Sequence, residues 1–175
     1  MNAARRWLVF VVVCVSAAPL SGCMRAAKQG ISEILGAQGE AVWLVDLDAA
    51  AVAQCNSVRF DPVTTTLTER ICPRRLLDAY DQAYAERMGE LEEAGFSGGE
   101  PALRVSTDVL YFEEKGLLGE ALLLSRVRLR EASGLAGDLI VKTVSESFRE
   151  AGADALAEES AKVVRRALVK ARGSE

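Results

Sequence analysis

The chain has 175 residues, half of them hydrophobic, which suits one compact domain with a core of its own. It contains no histidine, so the commonest general base and the commonest metal ligand are both missing. With 21 basic and 25 acidic residues its net charge is −4, and no basic footprint for nucleic acid is present.

Arg5 and Arg6 form a positive start, followed by an apolar run from Trp7 to Ala18. That run is far shorter than the roughly 20 residues a membrane-spanning helix needs, so it reads as an export signal. Behind it stands Leu20-Ser21-Gly22-Cys23, which resembles the lipobox of bacterial lipoproteins at all four positions. The resemblance implies cleavage after residue 22, acylation of Cys23 and attachment to the membrane through that lipid. Met24, where Asp would retain an enteric lipoprotein in the inner membrane, implies the outer membrane, facing the periplasm. Removal of residues 1–22 leaves 19 basic and 25 acidic residues, net −6.

Four cysteines occur. Cys14 lies in the signal and Cys23 is the lipidation site. Cys55 and Cys72 remain in an oxidising compartment, which leads to the expectation of a disulfide closing a loop of about 18 residues, worth ~3 kcal/mol. Two cysteines without histidine or CxxC spacing are not a zinc site, and no other metal site or cofactor is expected.

Residues 23–39 read as a lipidated tether, with one helical turn around Ile31, Ile34 and Leu35, and residues 40–175 as a single domain. Ala41 to Leu47 suits a strand and Asp48 to Gln54 a helix; Ser57 to Phe60 suits a short strand before Asp61-Pro62. Arg74 to Ala94 places Leu76, Leu77, Tyr80, Ala83, Tyr84, Met88 and Leu91 on one helical face. Pro73 fits its first turn and Gly95 its end. Ser97 to Pro101 is a loop.

Three strands follow: Leu103 to Tyr111, Ala121 to Arg130 and Asp138 to Phe148, with turns at Gly116–Gly119 and Ser133-Gly134. Gly152 to Ala171 is a second long helix whose apolar stripe runs from Ala153 to Leu168. The expected fold is α+β: a small, mainly antiparallel sheet of three to five strands with two long helices on one face.

The segments Leu103-Arg104-Val105, Arg126-Val127-Arg128-Leu129, Ser133-Gly134 and Gly152-Ala153-Asp154-Ala155-Leu156-Ala157 together resemble a group of small bacterial envelope lipoproteins. The group includes domains of unassigned function and relatives of the auxiliary lipoproteins of ABC-type lipid transport. The resemblance is a pattern of elements and carries no catalytic residue.

Among chemistry-bearing residues, Asp46 and Asp48 form a DxD pair, read as capping or solvated rather than cation-binding. Tyr80 and Tyr84 read as core residues with solvated hydroxyls. Arg126, Arg128 and Arg130 alternate along one strand and so share a face, the best candidate contact surface for an acidic partner or lipid head groups, although such rows are more often solvated Arg stems covering a sheet. No nucleophile–base pair is visible. The function expected is therefore non-catalytic support of an envelope or transport complex by protein binding, the alternative being a lipid- or metabolite-binding auxiliary component of an ABC-type system.

Overall fold

The computed structural model describes residues 37–114, 120–145 and 152–173. The export signal, Cys23 and the Ile31–Leu35 turn lie outside the described residues. So do the Gly116–Gly119 turn and residues 146–148.

The elements run β1 (Gln38–Val45), α1 (Ala49–Gln54), β2 (Ser57–Phe60), β3 (Thr64–Thr65), α2 (Arg74–Glu93), β4 (Ala102–Glu113), β5 (Ala121–Glu131), β6 (Gly134–Ser145) and α3 (Ala153–Arg172). The domain is α+β. Its sheet has six strands, however, in the order β1-β6-β5-β4-β2, with β3 also paired to β4. The sheet is mixed: β1, β6, β5 and β4 are antiparallel in succession, while β2 and β3 run parallel to β4. The expectation of three to five mainly antiparallel strands is corrected on both counts. Parallel pairing needs a crossover, and α2 between β3 and β4 supplies it.

β1 begins at Gln38, inside the stretch read as tether, and crosses the whole chain to pair with β6. Its close approach to α3 needs a small residue, since a Cβ on Gly39 would stand 2.6 Å from Val163 Cγ2. β6 starts at Gly134, earlier than the expected Asp138, because the hairpin ladder continues past a bulge at Leu129/Arg130.

Alternation along β4 and β5 sends Leu103, Val105, Leu123, Val127 and Leu129 inward, where they are buried under α2 and α3. α2 follows Pro73 as its N-cap and ends at Ala94, after which Gly95 takes a φ of 98° that a side chain would resist. Three hydroxyl pairs tie the helices to the sheet. Tyr80 Oη lies 2.8 Å from Ser125 Oγ, Tyr84 Oη 2.8 Å from Thr107 Oγ1, and Thr143 Oγ1 2.5 Å from Ser160 Oγ. The tyrosine hydroxyls are thus buried and bonded, not solvated. Tyr84 also stacks on Phe60, with centroids 4.2 Å apart.

Burial pushes the Tyr80 phenol up to about 12 from 10.0, against the opposing hydrogen bond from Ser125. The folded state holds the neutral phenol, so this contribution is present below about pH 10 and is lost as pH rises toward 12. Urea unfolding at increasing alkaline pH should show falling stability across that window, with a shallower slope in Tyr80→Phe. At neutral pH the same variant leaves Ser125 Oγ without its partner and should cost roughly 1–3 kcal/mol. An alkaline slope equal to that of the native chain refutes this account of Tyr80.

Candidate functional site

The helices cover one face of the sheet and leave the other open. On that open face β5 places Leu122, Leu124, Arg126, Arg128 and Arg130 in a row, opposite in direction to the buried Leu123, Ser125, Val127 and Leu129. Period-two alternation therefore puts the three arginines on one face, as the sequence indicates.

Their partners divide them. Arg126 donates through Nε and Nη2 to both carboxylate oxygens of Asp138 on β6, at 2.5 to 3.1 Å. The Asp138 side chain is only 4% exposed and that of Arg126 42%. The bond to Asp138 raises the Arg126 pKa further, so this guanidinium stays charged. Arg128 pairs on the other side with Asp108 of β4, which also accepts the hydroxyl of Thr64 on β3. Arg130 has no ion pair or hydrogen bond among the described residues. Two of the three candidate arginines are therefore committed within the fold, and the ladder does not present three free cations.

The unpaired arginine belongs to a different row. Register places Arg59 of β2 opposite Arg104 of β4, and Arg104 opposite Arg130 of β5. These three line an open depression of about 510 Å³, together with Ala102, Ser106 and Ala132 and the carboxylates of Asp61, Glu100 and Glu131. Arg59 Nη2 donates to Glu100 Oε1 at 2.7 Å, and Arg104 Nη2 to Asp61 Oδ1 at 2.8 Å. Arg59 and Arg104 escape a reading confined to single strands, because no spacing along the chain joins them to each other or to Arg130. The signal is the pairing of three strands, one of them parallel.

The remainder of the open face is apolar or mixed. Val42 of β1 pairs with Ile140 of β6, Tyr111 of β4 with Leu124, and Leu122 with Val144. Val42 is 57% and Tyr111 40% exposed. At the other sequence-indicated positions, Asp48 caps α1 by accepting from Ala51 N at 3.0 Å, and Asp46 is exposed after β1. Beyond those positions, Glu114 pairs with Arg75, and Glu113 accepts the Tyr111 hydroxyl. No cluster of three or more potential metal ligands occurs among the described residues.

Cys55 and Cys72 are both buried free thiols, so the expected disulfide is not formed. Topology separates them. Cys55 precedes Asn56, whose N donates to Pro101 O at the start of β4. Cys72 packs at Thr65, which pairs with Val109 far along the same strand. At ~3.3 Å per residue the stretch from Pro101 to Val109 spans roughly 26 Å, against the ~7 Å limit between bridged Cα atoms.

No protein-family model matches the chain, and no curated protein matches it. Among solved structures it is similar to the PelC dodecamer of Paraburkholderia phytofirmans. The point variant of that protein in one crystal form gives 14% identity and a TM-score of 0.47 over 78% of this chain and 98% of the other. A second crystal form gives 16% and 0.47 over 73% and 96%. A likeness at that score carries no argument about function.

Two outcomes follow. Arg126→Ser strips a buried carboxylate of its partner and should lower the unfolding temperature by roughly 5 °C or more, whereas Arg130→Ser should leave it within about 2 °C. Equal effects in thermal unfolding followed by circular dichroism rule this division out. Burial raises the pKa of both Cys55 and Cys72, so a thiol reagent near neutral pH should label neither in the native state and both after denaturation. Denatured protein with no reactive thiols at these positions means that the bond does form.

Proposed function

We propose that this protein is a non-catalytic bacterial lipoprotein, anchored through acylated Cys23 in the outer membrane and facing the periplasm, which supports an envelope complex by binding a protein partner. The observation that carries the reading is the open sheet face. Its side chains form a broad surface of mixed apolar and paired charged groups, the composition of many protein-binding surfaces. The space between sheet and helices is filled by Tyr80, Phe96, Leu76, Leu103, Leu123 and Leu156. Recognition therefore belongs to the open face rather than to an interlayer cavity of the kind a lipid carrier uses. Among the described residues no helix is long and apolar enough to cross a membrane, so attachment in this reading rests on the lipid.

Two experiments test it. Mass spectrometry of the mature N-terminus should find acylated Cys23, and Cys23→Ser should release the protein from the membrane fraction; an unmodified N-terminus elsewhere sinks the anchoring. Placing charge on the open face with Val42→Asp and Tyr111→Asp should leave the unfolding temperature within a few degrees yet abolish recovery of the envelope protein that the native chain retains in detergent. Retention of that protein by the double variant moves the contact off this face.

A further inference from the structure

We propose that the transverse row Arg59, Arg104 and Arg130 is a binding site for a phosphoryl group, carried by a lipid headgroup or by a free phosphate compound. The proposal is independent of the protein-binding role. It starts from a cost. Residues directly opposite on antiparallel strands hold their Cβ atoms about 4.5–5.5 Å apart, and like charges so placed destabilise a sheet. Here Arg104 stands so opposite Arg130, and Arg59, across the parallel pairing of β2 with β4, extends the row to three arginines. Elsewhere on the same face Asp108 and Asp138 alternate with Arg126 and Arg128 inside the rows, whereas here the acids that offset the arginines stand outside the row.

The donors are largely unspent. A guanidinium carries five N–H groups in a rigid fork. Arg59 and Arg104 each make one ion pair through Nη2, at 2.7 and 2.8 Å, and their side chains remain 61% and 66% exposed. Arg130 makes none among the described residues. The depression between them is floored by small side chains, Ala102 and Ser106 of β4, which leave room above the strands. The acids are held from outside the row. Glu100 also accepts Ala102 N at 2.9 Å, and Glu131 accepts the Ser133 hydroxyl.

Ligand chemistry follows from the donor geometry. Three acids balance three arginines, so overall field does not draw an anion in, and fork geometry must. A carboxylate presents two oxygens to one fork, and Arg59 and Arg104 already have such partners. A phosphoryl dianion presents three oxygens, enough to bridge the adjacent forks of Arg104 and Arg130 without displacing Asp61.

The test uses the full chain in detergent, titrated calorimetrically with inorganic pyrophosphate, and separately with micelles doped with phosphatidic acid or with diacylglycerol, which lacks the phosphate. Saturable binding of pyrophosphate assigns the site to free phosphate compounds; binding of phosphatidic acid alone, without diacylglycerol, assigns it to a lipid headgroup. In either case Arg130→Gln should weaken binding about tenfold, Asp61→Asn should strengthen it roughly threefold by removing a competing charge, and Arg166→Gln on α3 should change nothing. Absence of saturable binding to both phosphate probes overturns the proposal, and so does binding that Arg130→Gln and Arg166→Gln reduce equally.

Discussion

Covering only one face of a six-stranded sheet obliges the other face to live with water, and much of the structure is a response to that constraint. The outer positions of β4, β5 and β6 cannot all be apolar without leaving a large sticky surface. They are filled instead by a chain of alternating charges joined in two cross-strand ion pairs, Asp108 with Arg128 and Asp138 with Arg126. Because Asp138 is almost fully buried, this chain is more than surface decoration. It fixes the register of β5 against β6, since a one-residue slip would bury a carboxylate away from its guanidinium.

The covered face uses neutral groups for the same purpose. Tyr80–Ser125, Tyr84–Thr107 and Thr143–Ser160 are buried hydroxyl pairs that select one lateral position for each helix over the sheet, where apolar packing alone tolerates sliding. Arg172, the last residue of α3, completes the fastening. It donates to the carbonyls of Ala53, Cys55 and Gly95 and lies 4.8 Å from the centre of the Phe96 ring. One cation thereby satisfies carbonyls at or just beyond the C-terminal ends of α1 and α2, where the helix dipole favours positive charge.

Local periodicity made the two long helices and the central strands legible. The stripe from Leu76 to Leu91 and the alternation around Val127 each carry their own evidence within a few residues. What periodicity could not carry was pairing between distant segments. The strand from Ser57 to Phe60 was legible, but its parallel partner β4 lies across the whole of α2, and β3, two residues long, has no local signal of its own. The disulfide expectation failed for the same reason: proximity in sequence and scarcity of thiols suggested a bond, while the run of β4 holds Cys55 and Cys72 apart.

The candidate surface shows how far a single strand can be trusted. Alternation correctly assigned Arg126, Arg128 and Arg130 to one face, but whether a cation is free depends on which residue the neighbouring strand brings alongside. Asp138 and Asp108 are opposite or diagonal only because of the registers of β6 and β4, and those registers consume two of the three charges. The same registers align Arg130 with Arg104 and Arg59, residues drawn from segments that share no visible motif. A row that runs across strands is invisible to any reading that runs along them. Sheet pairing thus gives two of the three arginines that the sequence singled out a carboxylate partner, and aligns the third with Arg104 and Arg59 on neighbouring strands.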